Sequence, residues 1–147
     1  MSHSYCNNYV HGIYSTKNRE NLIAAEFEKR IYPFIASIAH EYEIPLIAAG
    51  GMPNHCHLLF RQPAAITLAS AINIFKTNSS RFMHEHGVAF QWQTGYAAFS
   101  VSPSQLDKVT AYIRDLREHH KKVTFEEEFL ALLKKAGVHY DPKYVWG

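Results

Sequence analysis

Apolar positions along the chain follow two periods, and the two alternate. Residues 9 to 15, Tyr-Val-His-Gly-Ile-Tyr-Ser, mix aromatic and β-branched side chains over the length of a strand, and Thr16-Lys17-Asn18-Arg19 follows as a polar loop. From Ala24 to Tyr42 the positions Phe27, Ile31, Phe34, Ile35 and Ile38 recur at helical spacing, with Pro33 inside the pattern predicting a kink or a break. Ile44 to Ala49 reads as a second strand ended by a Gly50-Gly51 turn, and His55 to Arg61 as a third. Leu68, Ile72, Phe75 and Phe82 mark a second helix over Leu68 to His86, stopped by Gly87. Tyr96 to Val101 is a short fourth strand. The next helix starts with Ser102 as N-cap, Pro103 at the first position and Gln105 at capping-box spacing, and is expected to run to about His120. A last helix, Phe125 to Lys135, stops at Gly137.

The order β-α-β-β-α-β-α-α predicts an α+β fold. Strands two and three are close enough to pair as a hairpin, and an antiparallel sheet flanked by helices, of the ferredoxin-like kind, fits best. A chain of 147 residues without repeat or linker is expected to form one domain over 1–147. No run of about 18 apolar residues is present, so no membrane-spanning helix is expected. Met1-Ser2-His3-Ser4-Tyr5 lacks the basic stretch and apolar core of a secretion signal. Cys6 and Cys56 make no disulfide framework, and the expected setting is cytoplasmic with reduced thiols.

A net charge of +2 is mildly basic and does not alone indicate nucleic acid. Ten histidines and nine tyrosines change the picture more, because both residue types serve metal and phosphate chemistry. The most informative segment is Met52-Pro53-Asn54-His55-Cys56-His57-Leu58-Leu59-Phe60, with Pro53-Asn54 as the turn that introduces the strand. Side chains alternate along a strand, so His55 and His57 share one face, and Cys56, Leu58 and Phe60 share the core side. Two imidazoles on one face can grip a divalent cation and leave coordination positions open, as a catalytic metal needs. An isolated His-x-His is more often two half-exposed histidines with no ligand, so the residues alone leave both readings open. His84-Glu85-His86 has the same spacing, but on a helix those side chains diverge by about 200 degrees, which discounts it.

Tyr112 lies on the helix after Ser102, within Val109-Thr110-Ala111-Tyr112-Ile113-Arg114-Asp115-Leu116. A tyrosine hydroxyl can attack phosphorus and hold a cut strand as a phosphotyrosine, which keeps the bond energy for rejoining. Its free pKa near about 10 makes it a weak nucleophile, and a metal on the phosphate would reduce that demand. The alternative is a core tyrosine packed beside Leu106, Val109, Ile113 and Leu116.

Several segments together resemble the single-tyrosine HUH transposases of small bacterial insertion sequences, including the REP-associated tyrosine transposases. They are Ser15-Thr16-Lys17-Asn18-Arg19, Met52 to Leu59, Phe75-Lys76-Thr77-Asn78-Ser79-Ser80, Trp92 to Ser102, and Tyr112-Ile113 with His119-His120, in the family's order. The resemblance implies an HUH pair at His55 and His57, a nucleophile at Tyr112, and Mg²⁺ or Mn²⁺. It also implies a homodimer in which the tyrosine helix can complete the partner's active site. The reaction implied is transesterification on single-stranded DNA with hairpin element ends, through a 5′-phosphotyrosine and a free 3′-hydroxyl. One departure stands out: where the family often carries Gln as a third metal ligand, this chain has Leu116. Asp115 or His119 is then expected to substitute, with His120 a further candidate off that face.

Positive side chains and rings nominate the DNA contacts. Lys17 and Arg19 follow the first strand, Lys76 and Arg81 flank a polar run, and Trp92 and Tyr96 offer stacking surfaces. Rival readings are a replication-initiator or relaxase-type nickase, a metal-dependent hydrolase acting through water, and a catalytically impaired relic that only binds DNA.

Overall fold

The hairpin predicted between the second and third strands forms, but its turn lies later than expected. The computed structural model describes residues 1–146. In it β2 spans Leu46–Met52 and β3 spans His55–Gln62, so the link is the two residues Pro53 and Asn54. Gly50 and Gly51 lie inside β2, opposite His57 and Cys56. They serve close approach rather than a turn. A Cβ on Gly51 would collide with the His55 carbonyl and the Tyr32 hydroxyl, and one on Gly50 would sit 3.3 Å from Ile113 Cγ2.

The remaining strands are β1, Asn8–Ser15, and β4, Ala97–Val101. The sheet order is β2-β3-β1-β4 with every neighbouring pair antiparallel. This is the expected α+β architecture. One face carries α1, Ala25–Glu41, and α2, Leu68–Glu85. Pro33 does not break α1, because it sits on the exposed side, where water can satisfy the carbonyl left without a donor. Val10, Tyr14, Leu58 and Phe60 from the sheet pack there with Ile31, Ile35, Ile72 and Phe75. Thr67 caps α2 through Ser70 N, and Gly87 ends it with a positive φ of 79°.

The other face is covered by the C-terminal helices. Ser102 makes no cap hydrogen bond; its hydroxyl pairs with Ser104 Oγ at 3.0 Å, and residues 103–105 form a 3-10 turn. Instead of one helix reaching His120, α3 spans Leu106–Arg114 and α4 spans Leu116–His119, parted at Asp115. The complete capping box belongs to α5, Phe125–Lys135, where Thr124 and Glu127 each bond the other's backbone N–H. A small apolar group of Leu59, Ile113 and Leu116 anchors α3 and α4 to the sheet. Cys6 is exposed and Cys56 buried, its thiol pushed up to about 12 by burial, so it behaves as a core apolar group. Among the described residues no helix is long and apolar enough to cross a membrane.

Candidate active site

Because β3 is pleated, His55 and His57 leave the sheet on the face away from α1 and α2, and both are fully buried. Each imidazole is held from behind. His55 Nδ1 lies 2.8 Å from Asn54 Oδ1, and its ring stacks on Phe125 at 4.0 Å between centroids. His57 Nδ1 lies 2.8 Å from His11 Nε2, contributed by β1. The front edges, the two Nε2 atoms, then point at one carboxylate.

That carboxylate is Glu128 on α5, buried, with Oε1 3.4 Å from His55 Nε2 and 3.2 Å from His57 Nε2. Its Oε2 lies 3.2 Å from His120 Nε2 and 3.6 Å from His119 Nε2, and accepts a hydrogen bond from the Tyr112 hydroxyl. His120 is itself fixed by Nδ1, which donates to the Val123 carbonyl at 2.8 Å. The donor atoms of His55, His57, His120 and Glu128 all lie within 4.8 Å of one another, close enough to share one ion.

Burial and partners set the charges. Desolvation pushes His55 down to about 4 and His11 to about 3, so both are neutral at physiological pH. Burial alone would raise Glu128, but polar contacts with His55 and His57 and the Tyr112 hydroxyl more than reverse it, leaving a carboxylate well below its ordinary range. Tyr112 moves the opposite way, raised first by burial and then by the neighbouring Glu128. The hydroxyl is therefore a held donor rather than a phenolate at rest.

The sequence-predicted residues divide. His55, His57 and Tyr112 come together, the Tyr112 ring 5.8 Å from that of His57. His119, half-exposed, sits at the margin with its ring 5.1 Å from Tyr112. Asp115 is exposed at the break between α3 and α4, away from the cluster, and Leu116 is buried against Leu59 and Ile113. Of the further candidates, His120 lies with His55 and His57 in the cluster, and Glu128 joins them. Sequence reasoning missed Glu128 and His11. The signal for Glu128 was present: it follows Phe125 by three residues and precedes Leu132 by four, a charge inside the apolar stripe of α5.

The nominated DNA contacts divide as well. Lys17, Arg81 and Tyr96 are exposed. Trp92 is not available for stacking: it is buried edge-on between Tyr14 and Phe90, with Nε1 donating to Ser79 Oγ at 2.9 Å. Lys76 spends its three protons on the carbonyls of Gln93, Thr94 and Gly95, at 2.8, 3.1 and 2.7 Å, and so pins a loop. Arg19 pairs with Glu126 at 3.0 Å and lies over the Trp146 ring. Between that tail and the loop opens a cleft of about 190 Å³, lined by Tyr14, Gln93, Tyr96, Phe125, Phe129 and Trp146 among others.

A family model described as "Transposase IS200 like" matches residues 4–116. Among solved structures the chain is similar to a protein from Deinococcus radiodurans R1 assigned as a transposase, at 22% identity and a TM-score of 0.61, over 78% of this chain and 94% of that one. It is also similar to a REP-associated tyrosine transposase bound to a REP hairpin, at 15% identity and a TM-score of 0.62, over 96% of this chain and 90% of that one. At such identities the likeness is one of fold. No curated protein sequence matches the chain. The matched family segment ends at Leu116, and so contains His55, His57 and Tyr112 but neither His120 nor Glu128.

Proposed function

The chain belongs to the IS200-like transposase family, and from that premise we propose that it cuts and rejoins single-stranded DNA with Tyr112 as nucleophile and a divalent ion at the His55–His57 pair. The observation that carries the reading is the hydrogen bond from the Tyr112 hydroxyl to Glu128, the same carboxylate on which His55 and His57 converge. Nucleophile, proton acceptor and metal-ligating imidazoles meet at one buried point.

Tyr112 Oη attacks the phosphorus of a phosphodiester, and its proton passes to Glu128 Oε2 as the O–P bond forms. The bond from phosphorus to the 3′-oxygen breaks, that oxygen takes up a proton, and the 5′-phosphate stays on the tyrosine. One phosphoester replaces another, so no nucleotide cofactor is required, and attack by a new 3′-hydroxyl reverses the step. Position on α3 fixes the aim of the hydroxyl, which in-line displacement demands. Held by His55 and His57, a Mg²⁺ or Mn²⁺ would polarise the phosphoryl oxygens and offset the charge that develops there.

The structural neighbour bound to a REP hairpin supports hairpin-ended single strands as the substrate class for this chain too. Lys17 and Arg81 are exposed cations suited to phosphates, and Tyr96 is an exposed ring at the aromatic cleft suited to an unpaired base. Tyr112 stands beside the histidines of its own chain, which supports a site assembled within one protomer over the trans arrangement of a homodimer. The relic reading rested on Leu116; the packing of that side chain with Leu59 and Ile113, and Glu128 beside the histidines, support the active enzyme over it.

The test is incubation with Mn²⁺ and labelled single-stranded DNA carrying a hairpin end, followed by a denaturing gel. A covalent protein–DNA band is expected that needs metal and disappears in Tyr112→Phe and His57→Ala. Cleavage that survives Tyr112→Phe would identify a hydrolase acting through water and overturn the reading.

A further inference from the structure

Proton positions at the cluster single out an unusual arrangement of lone pairs. His55 Nδ1 faces Asn54 Oδ1 and His120 Nδ1 faces the Val123 carbonyl, both acceptors, so each ring carries its proton at Nδ1. Their Nε2 atoms are then bare lone pairs, and both are buried without a hydrogen-bond partner among the described residues. Each nonetheless faces a carboxylate oxygen, at 3.4 and 3.2 Å. Lone pairs aimed at an anion repel. Native interiors satisfy nearly all buried polar atoms, so two such orphans around one carboxylate call for a cation between them. His57 joins them, because the proton it shares with His11 can sit on His57 Nδ1 and free His57 Nε2.

We propose that His120 and Glu128, both outside the segment matched by the family model, complete the metal centre begun by His55 and His57. The resulting set of three imidazoles and one carboxylate takes a nitrogen-accepting transition-metal dication, such as Co²⁺, Zn²⁺ or Mn²⁺, in preference to Mg²⁺. Distances agree with a shared ion. Metal–ligand bonds of about 2.0–2.2 Å set neighbouring donors of a tetrahedron roughly 3.3–3.6 Å apart. Glu128 Oε1 lies 3.4 Å from His55 Nε2 and 3.2 Å from His57 Nε2, and its other oxygen, Oε2, lies 3.2 Å from His120 Nε2. Mg²⁺ favours an octahedron of oxygens and keeps its waters, whereas imidazole suits the later ions. Of the two ions expected from the sequence, Mn²⁺ fits better. Glu128 then divides its work, with Oε1 toward His55 and His57 and Oε2 facing His120 while it accepts from Tyr112. The family segment thus provides the strand pair, the end of α4 provides His120, and α5, locked by its capping box, provides Glu128.

This inference rests on the proposed metal at the histidine pair, and the experiment separates the two. Full-length protein, stripped with chelator, is titrated with Co²⁺ while its visible d–d absorption is followed, then challenged with Zn²⁺, Mn²⁺ and Mg²⁺. The expected result is one bound Co²⁺, displaced by Zn²⁺ and retained against an equal concentration of Mg²⁺. His57→Ala abolishes binding, while Glu128→Gln and His120→Ala each weaken it about tenfold or more and change the spectrum. Circular dichroism confirms folding, and His120→Asn stands in if His120→Ala does not fold. Unchanged affinity and spectrum in Glu128→Gln and in the His120 variant, with loss in His57→Ala, would overturn the inference and leave the two-histidine reading intact. Equal competition by Mg²⁺ would overturn the selectivity. No Co²⁺ or Mn²⁺ bound to the unaltered protein would end both.

Discussion

The two faces of the sheet are built from alternate residues of the same strands and obey different physics. On the α1–α2 side, Leu58 and Phe60 of β3 meet Ile31, Ile35 and Phe75 in a close-packed apolar core. On the α3–α5 side, the intervening His55 and His57 meet His11 and Glu128, buried but polar, and the half-buried His120 and Tyr112. The first face yields stability roughly in proportion to the apolar area removed from water. The second removes charges and lone pairs from water, which costs free energy unless every group is matched. A domain keeps such a face for what it does. Changes on the first face should therefore move folding and leave ligation alone, whereas only changes to the polar cluster on the second should reach ligation.

The largest expected effect comes from the apolar side. Phe75→Ala opens a cavity under β3 and should cost about 3–5 kcal/mol, read as a shifted urea midpoint. Metal affinity of the fraction that folds should stay within a factor of about two, since no ligand rests on Phe75. A large affinity loss without loss of stability would break the division between the faces.

Next comes pH, which should act through the polar side. His55 and His11 in the folded chain lie below the ordinary histidine value, at about 4 and about 3, so the unfolded chain binds protons that the folded chain refuses. Stability is thus full above roughly pH 6.5 and falls as pH drops toward those values, by about 3 kcal/mol for His55 alone. Glu128, depressed below its ordinary range, pulls the same way at the acid end. Urea midpoints of chelator-treated protein between pH 8 and pH 4 should show this slope, and Phe75→Ala should run parallel to it, displaced downward. A flat profile would mean the histidines are not desolvated as described.

How much of this was legible in the chain follows the same division. Strand alternation in His55-Cys56-His57-Leu58-Leu59-Phe60 and helical spacing in Ile31, Ile35, Phe75 and Phe82 are periodic signals, and they gave the sheet, α1, α2 and the histidine pair. Gly50-Gly51 misled because a glycine pair signals a turn and a close backbone approach alike; only the packing of Tyr32 and Ile113 tells them apart. Glu128 was hidden among Glu126, Glu127 and Glu128, a run that reads as an acidic first turn complementing the helix dipole. His120 depended on the break at Asp115, which a continuous helix would not have contained. Trp92 looked like a stacking surface because sequence shows a ring but not its burial. Long-range meetings, unlike periodicities, leave little trace in one sequence.

Leu116→Gln gives a smaller and more pointed test. If the family's glutamine position faced the ion, this change would tighten metal binding. Leu116 instead fills the apolar group with Leu59 and Ile113, so a buried amide there should cost about 2–3 kcal/mol and gain no affinity. Thermal unfolding with and without Co²⁺ separates these outcomes, since a gain in ligation would enlarge the metal-induced shift. An enlarged shift would sink the account of α4 given above.

The finest test falls on a residue that touches no ion. His11 stands behind His57, its Nε2 2.8 Å from His57 Nδ1, with Phe99 and Tyr112 as its other ring neighbours. His11→Phe keeps a planar aromatic ring, slightly larger, in these aromatic surroundings and deletes the hydrogen bond that orients His57. Outer-shell partners of ligating imidazoles are worth about 10–100-fold in metal affinity, and a loss of that size is expected in the Co²⁺ titration, with folding nearly unchanged. Covalent capture of DNA should fall in parallel at limiting metal and recover at saturating metal, because Tyr112 and Glu128 are untouched. That recovery distinguishes a positioning residue from one that takes part in the chemistry. If affinity does not move, His11 is merely another core side chain, and the polar character of this face reduces to the ligands and the tyrosine.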